Sequence, residues 1–587
     1  MTPEPTAATM FPGTKNLQAR DTISLSEPKD RIILHFDYDC FYASVFENEN
    51  PSLRSLPLGI KQKSILATCN YVARARGVKK LMLISDAQKL CPDLVLMNGE
   101  DLTRFRAASK KLWAFLRAHS WNKRVERLGL DEVFLDVSDI ISYNQQIINP
   151  NALAQSFFQL SGEDPEKGFP LDATSFFGCT YPKDHKSWAD TEQDPLQLRL
   201  ILASHLAGYL RHKLEEDFGY TSTCGVAINK VLAKLAGTQN KPKNQTCLIS
   251  LQDQDVQSFM DAHQIRKVPG LGHKTSHLVQ NHVLSRDLQD IPHSEEHSAK
   301  ITVKEVLAHE DMSPELLERI LSRSGAERGI GLKVWRLLHG VDESPVKEAS
   351  DVPTQISIED TYMSKPLNTP SEIMRELRAL TTSLVRRMYV DLLDESVGQE
   401  TSGRKWLAYP KTLRLSTRTK NRLTTEAQQS FSRNSRSQPL PNFVFQLKDS
   451  QDSIVERLVN EAILPLFRRL HSERQGWNLA LINICVTNMV LTGNEEGTGG
   501  GRDISFMFKT QDTRFKEFTV YDQSDPVNFS KSDDDTSVVP GSAPHDQEGM
   551  DEWVEEEAED FLRCPECGCA IPTFAMAAHE RFHIMGD

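Results

Sequence analysis

The chain has 587 residues, a formal net charge of −13, 39% hydrophobic residues and 25% charged residues, so it is too long for one hydrophobic core and ordinary in composition for a globular protein. No apolar run reaches the ~18 residues a membrane helix needs; the longest, "WNLALINICVTNMVL", is broken by Asn483, Thr487 and Asn488, and no membrane partner is expected. The ten cysteines are mostly isolated, with only Cys564, Cys567 and Cys569 close together, which a reducing compartment with one local metal site explains better than a disulfide framework.

In chain order, "MTPEPTAATMFPGTKN" lacks a cationic start and an apolar h-region, so residues 1–29 read as a disordered arm. Strand-like runs then alternate with helical ones: "RIILHFDYD", "SILATCN" and "VFLDVS" against "DLTRFRAASKKLWAFLRAH", the mark of an α+β domain. Residues 143–193 are polar and carry Pro and Gly, reading as an insertion or a long loop. Helical periodicity resumes at "PLQLRLILASHLAGYLRHKLEEDFG", followed by the strand "TSTCGVAIN". Residues 256–345 read as short helices joined by Gly and Pro, and 352–495 as a second α+β unit. In that unit "EIMRELRALTTSLVRRMYVDLL" and "SIVERLVNEAILPLFRRL" are amphipathic helices, while "KTLRLSTR" and "NLALINICV" are strands. Residues 496–560 are Gly-, Asp- and Glu-rich and read as disordered.

Charge is distributed unevenly. Residues 531–560 hold twelve acids against the single base Lys531, a net −11, whereas residues 402–436 hold nine bases against Glu426. An acidic tail thus hides a basic surface.

The chemistry lies in acids set among apolar residues. In "HFDYDCFYASVF" Asp37 and Asp39 interrupt an aromatic run, and in "VERLGLDEVFLDVS" Asp131 and Glu132 lie in a hairpin-like stretch. Unpaired buried carboxylates are costly. If the two strands lie side by side, Asp37, Asp131 and Glu132 converge into an oxygen site for hard cations such as Mg²⁺; strand-end or turn acids are the competing reading. "NYVARARGV" puts Tyr71 and Arg74 on one face of a short helix, and Lys241 precedes Pro242 in "QNKPKN". Such cations suit phosphoryl oxygens, or are simply surface charge.

Taken together and in order, "DYDCFY", "NYVARARGV", "LGLDEVFLDVS", "GVAINKVLAKLAGTQNKP" and "VPGLGHKT" resemble the Y-family DNA polymerases over roughly residues 30–495. The resemblance implies an α+β multidomain right hand. It would comprise a ferredoxin-like palm (30–255) with small fingers (about 47–119), a helical thumb with a helix-hairpin-helix (256–345) and an α/β little finger (352–495). It assigns two divalent ions, Mg²⁺ or Mn²⁺, to Asp37, Asp131, Glu132 and the Tyr38 backbone carbonyl, with the three acids catalytic. Tyr71, Arg74 and Lys241 become triphosphate contacts and Tyr42 the ring that excludes a ribose 2′-hydroxyl; Asp39 is expected to be a structural hydrogen-bond acceptor. Residues 62–106 look most like the iota branch, where Ile65 and Ala67, sharing one face of a period-2 strand, would roof the templating base or merely pack the core. Eta-like bypass, a deoxycytidyl transferase, and a non-catalytic scaffold are the alternatives.

For DNA grip, Gly270 and Gly272 of "VPGLGHKT" would let backbone N–H groups approach a phosphate beside Lys274. The bases Arg404, Lys405, Lys411, Arg414 and Arg418 would line a sheet. At the end of the chain, Cys564, Cys567, His579 and His583 have the C-x2-C-x11-H-x3-H spacing of a structural Zn²⁺ site, with Cys569 a bystander. This finger, residues 561–587, resembles a ubiquitin-binding type, with Arg581 where that family carries Asp. "GRDISFMFK" places Ile504, Met507 and Phe508 at the spacing of a clamp-binding peptide, with Gly501 where Gln is usual; a last strand is the competing reading. The expected partners are therefore primer-template DNA, deoxynucleoside triphosphates, and ubiquitin or a ubiquitinated sliding clamp, with the chain monomeric and nuclear.

Overall fold

Strand β1 (Ile33–Tyr38) is buried on both sides, and that explains its apolar text. Leu34, Phe36 and Tyr38 enter one core while Ile33 enters another. In the computed structural model the described residues are 31–183, 195–249, 253–285, 300–322, 327–362, 365–394, 405–420 and 433–492, together with the backbone of 561–563 and 570–572. The chain divides into two compact units, residues 1–350 and 351–587.

After β1 the first unit continues through α1 (Phe41–Glu49), β2 (Leu58–Gln62), β3 (Ile65–Cys69), α2 (Tyr71–Ala75), α3 (Ile84–Leu90), β4 (Val95–Asn98) and α4 (Thr103–Arg117). Strands β3, β2 and β4 form a small sheet with its own core around Leu66, Cys69, Ala73 and Val78. Next come β5 (Val125–Leu128), β6 (Glu132–Asp136), α5 (Ser138–Ile147), β7 (Ser156–Gln159), β8 (Gly168–Leu171), β9 (Cys179–Tyr181), α6 (Pro195–Phe218), β10 (Ser222–Ala227), α7 (Lys230–Ala236) and β11 (Gln245–Leu248). The main sheet runs β5-β6-β1-β10-β11-β9. Burying a side chain such as Phe36 or Leu34 in it contributes roughly 1.5–3 kcal/mol. Helices α4, α5 and α6 cover one face and α7 lies on the other.

The polar stretch at 143–193 is not one long loop, the second of its two sequence readings. Its described part holds the end of α5, the β7–β8 hairpin, and β9, which forms the parallel edge of the main sheet. Stacking holds the hairpin down: Phe158 on Phe169 at 5.1 Å and Phe169 on Tyr209 of α6 at 4.5 Å. One buried aromatic, Phe158, and one half-buried, Phe169, are too few to give a periodic signal, yet enough to anchor four-residue strands.

Short helices follow: α8 (Asp253–Asp261), α9 (His273–Val283), α10 (Val303–Leu307), α11 (Pro314–Leu321) and α12 (Ile330–Leu338). Their core is continuous with α7 and with Ile33 and Phe134 of the main sheet.

The second unit comprises β12 (Gln355–Thr361), α13 (Pro370–Leu392), β13 (Leu393–Asp394), β14 (Lys405–Trp406), β15 (Ala408–Thr419), β16 (Asn434–Pro439), α14 (Gln451–Leu458), α15 (Leu464–Leu470) and β17 (Leu479–Leu491), with β18 (Phe561–Arg563) and β19 (Ala570–Pro572) as a separate hairpin. Its four-stranded antiparallel sheet is ordered β12-β17-β15-β16, and α13 packs against it through Ile373, Leu377, Leu384 and Met388. The single helix expected over 453–470 is continuous but carries a π turn at Val459–Ile463, just before Pro465. The missing proline N–H and the ring's clash with the preceding turn account for that local widening.

Candidate active site

Two strands bring the acids together. Strand β1 pairs antiparallel with β6 so that Asp37 faces Glu132, and the Tyr38 N–H donates to the Asp131 carbonyl at 2.9 Å. Asp131 sits at the end of the β5–β6 turn, whose tightness requires the left-handed conformation of Gly129, φ 65°. Each carboxylate meets a different environment. Lys241 donates to Asp37, and Lys234 of α7 donates to Glu132 at 2.7 Å. Asp131 is exposed as a residue at its turn, yet burial of its carboxyl group, with Asp37 and Glu132 beside it, pushes its pKa up to about 6. Asp37 is also raised, by burial first, with Lys241 opposing.

Negative charge thus exceeds what the protein itself neutralises at Asp131. Hard oxygen donors with that excess fit a divalent cation. Among the described residues, however, no three acids, histidines or cysteines are gathered into a finished cage; lysines hold two of the three carboxylates.

Asp39 does other work, as expected. It accepts from the Thr223 hydroxyl at 3.2 Å and the Lys243 N–H at 2.9 Å, tying β1 to the loop that carries Lys241. The chain then turns at Cys40, φ 47°, into α1, where the Ser44 hydroxyl donates to the Asp39 carbonyl at 2.6 Å. Tyr42, on α1, is half-buried and stacks on Phe105 of α4, centroids 4.1 Å apart and 17° from parallel. Burial, then the nearby Asp131, raises its hydroxyl pKa.

Helix α2 presents Tyr71 and Arg74 together, the Arg74 guanidinium lying 4.7 Å above the Tyr71 ring while its Nε donates to the Cys69 carbonyl at 3.1 Å. Burial raises the Tyr71 hydroxyl pKa, and Asp39 adds to it, so α2 opens onto the same acids. Asn70 fixes this helix. Its side-chain oxygen accepts from the Ala73 and Leu58 N–H groups, and its amide donates to Glu47 and the Leu56 carbonyl.

Ile65 and Ala67 are both half-buried in β3, on either side of the buried Leu66. The register of β2 against β3 shifts between Ile60 and Lys61, pairing Thr68 and Leu66 with them in turn. Ala67 therefore has no partner on β2 in this register, as at a β-bulge.

Gly270 has φ 85°, and a Cβ there would lie 2.9 Å from Leu337 Cδ1; Gly272 caps α9, and Lys274 is exposed on its first turn. In the second unit, Lys405 and Lys411 are exposed and Arg414 and Arg418 half-buried, the last two on the β15 face opposite Leu413 and Leu415. Arg404, Cys564, Cys567, His579, His583, Ile504, Met507 and Phe508 lie outside the described residues.

Sequence reasoning missed four residues here: Lys234, Asn70, Phe105 and His35. Lys234 stands inside the quoted "GVAINKVLAKLAGTQNKP", one turn after Lys230, and that spacing was the available signal. His35 is buried beneath the acids against Phe134, centroids 4.7 Å apart. Burial, then Lys234 and Lys241, holds its pKa well below the ordinary value, so it is neutral.

The impB/mucB/samB family model matches residues 36–238, and the C-terminal domain model of the same family matches residues 353–499. The chain belongs to that family, the Y family to which its motif order points. Among curated proteins it is similar to human DNA polymerase iota, 31% identical over 89% of this chain and 65% of that protein. It is likewise similar to Drosophila melanogaster DNA polymerase iota, 34% identical over 62% of this chain and 43% of that protein, and to Drosophila DNA polymerase eta, 30% identical over 44% and 31%. The chain spans between 43% and 65% of the length of these iota relatives.

Proposed function

We propose that this chain is a template-directed DNA polymerase of the translesion type, close in character to the iota branch. The observation that carries the reading is the meeting of Asp37, Asp131 and Glu132 beside Lys241, Tyr71 and Arg74, on a chain whose relatives are named DNA polymerase iota, eta and IV. Asp37, Asp131, Glu132 and the Tyr38 carbonyl would hold divalent ions, Mg²⁺ or Mn²⁺, which when bound neutralise phosphate charge and favour an ionised primer hydroxyl. The chain's own residues then orient the substrate. Lys241, leaving Asp37, joins Arg74 and the Tyr71 hydroxyl on the triphosphate of the incoming nucleotide. The Tyr42 ring, braced by Phe105, fills the space of a 2′-hydroxyl, and Ile65 and Ala67 lie over the templating base. The reaction is attack of the primer 3′-hydroxyl on the α-phosphorus, with pyrophosphate leaving.

Gly270, Gly272 and Lys274 in the first unit and the bases around β15 in the second are the proposed DNA contacts. A zinc finger on Cys564, Cys567, His579 and His583 that binds ubiquitin, a clamp peptide at Ile504, Met507 and Phe508, and a nuclear location complete the reading; zinc content of the full chain is the measurement that checks the finger.

Primer extension decides the main point. Wild type is expected to add nucleotides to a primer opposite each template base with unequal efficiency, and the Asp131→Ala, Glu132→Ala double variant to lose at least ~10³-fold in rate. A wild type that binds primer-template tightly yet extends nothing would leave only the scaffold reading.

A further inference from the structure

Three lysines face the acid cluster or its flank, and the fold treats them differently. Lys241 lies on the loop after α7, between Asn240 and Lys243, which both adopt positive φ. Lys234 and Lys230 lie on α7 itself, four residues apart. Lys230 pairs with Glu126 of β5 at 3.1 Å, and Lys234 with Glu132 at 2.7 Å. The two pairs form rungs between one helix and two neighbouring strands of the main sheet.

Helix α7 is held with little freedom. Asn229 caps it, its side chain accepting from the Leu232 N–H at 2.9 Å and donating to the Gly340 carbonyl at 2.8 Å. Val231, Leu232, Leu235 and Ala236 are buried. The helix lies so close to β10 that a Cβ on Gly225 would stand 1.9 Å from the Ala233 carbonyl oxygen. A lysine on such a platform reaches one place, whereas a lysine on a loop can change partners.

We propose, resting on the polymerase reading above, that Lys234 is a positioning residue. It holds the Glu132 carboxylate in place for a divalent cation and stays with it when the site is filled, while Lys241 exchanges Asp37 for the triphosphate. Hydrogen-bonded partners of metal-binding carboxylates act in this way, and removing one typically costs 10–100-fold in metal affinity. The opposite role is also physically open. A lysine ammonium could be a mere occupant of the cation's place, and its removal would then tighten metal binding.

Mn²⁺ binding to the full chain, without DNA or nucleotide, followed by the electron paramagnetic resonance signal of the free ion, separates the two. Lys234→Met is expected to weaken Mn²⁺ binding ~10-fold or more, and Lys234→Arg to restore it to within about threefold of wild type. Lys230→Met breaks the other ion pair of the same helix and is expected to leave Mn²⁺ affinity within about twofold, so a general loosening of α7 is told apart from a specific one. Circular dichroism of each variant checks that it is folded; Lys234→Gln replaces Lys234→Met if the latter is not. In steady-state extension, Lys234→Met is expected to lower kcat and raise the Mg²⁺ concentration for half-maximal rate, with the KM for nucleotide changed less than about threefold. Tighter Mn²⁺ binding in Lys234→Met, no change in it, or a wild type that binds no Mn²⁺ overturns the proposal. A wild type that binds Mn²⁺ but extends no primer overturns the polymerase reading and leaves the role of Lys234 at Glu132 standing.

Discussion

Asp131 illustrates how one carboxyl can be prepared for a cation at a cost to the empty fold. Its pKa is pushed up to about 6, by burial first and then by Asp37 and Glu132, whereas an unfolded Asp titrates at about 3.9. Through the window between these values the native chain keeps a proton that the unfolded chain has released. Stability is therefore lost as pH rises through that window, and the loss is complete above it. Asp131→Asn removes the charge. It should raise the unfolding temperature of the metal-free protein at neutral pH and leave it almost unchanged near pH 4, as read by thermal unfolding in chelator. An identical gain at both pH values would mean that ionisation is not the cause. Asp37 and Glu132 differ from Asp131 in that each already has an ammonium partner, Lys241 and Lys234.

At the scale of elements, the contact between α7 and β10 governs the site. Gly225 lies where β10 passes under the helix, and a side-chain carbon there would meet the Ala233 carbonyl oxygen at 1.9 Å and the Gly237 nitrogen at 2.4 Å. Backbone atoms cannot swing aside as a side-chain tip can, so the helix itself must move. Gly225→Ala is expected to destabilise the first unit by ~1–3 kcal/mol and to weaken nucleotide binding by displacing Lys234 and the loop of Lys241, measured by denaturant unfolding and nucleotide titration. Unfolding and binding indistinguishable from wild type would show that α7 does not set the geometry of the cleft.

Across the whole molecule, the net charge of −13 is a poor guide to partners because opposite charges are segregated along the chain. Lys274 in the first unit and Lys411, Arg414 and Arg418 in the second belong to basic stretches, while the acids concentrate at 531–560. If these bases meet phosphates, the logarithm of primer-template affinity should fall with the logarithm of salt concentration at a slope near about −0.9 per phosphate neutralised. Reversing Arg414 and Arg418 to Glu should flatten that slope. Fluorescence anisotropy over a salt series is the check, and a wild-type affinity that ignores salt would remove the electrostatic account of DNA grip.

Much of this was legible along the chain because it is local. Periodicity marked β1, α4, α6, α13, β15 and β17 close to where they lie, and five motifs in order pointed to the family that both domain models match. Turn chemistry and an acid beside an apolar run can be read from neighbours alone. The β7–β8 hairpin, the bulge at Ala67, the register that sets Asp37 opposite Glu132, and the lysine on each of those acids could not be. They depend on pairing between segments distant in sequence, where a shift of one residue would turn Asp37 to the other face of the sheet. The residues thus specified which chemistry was available, and the packing of α7 on the main sheet, with the loop that follows it tied to Asp39, decided which cation met which carboxylate.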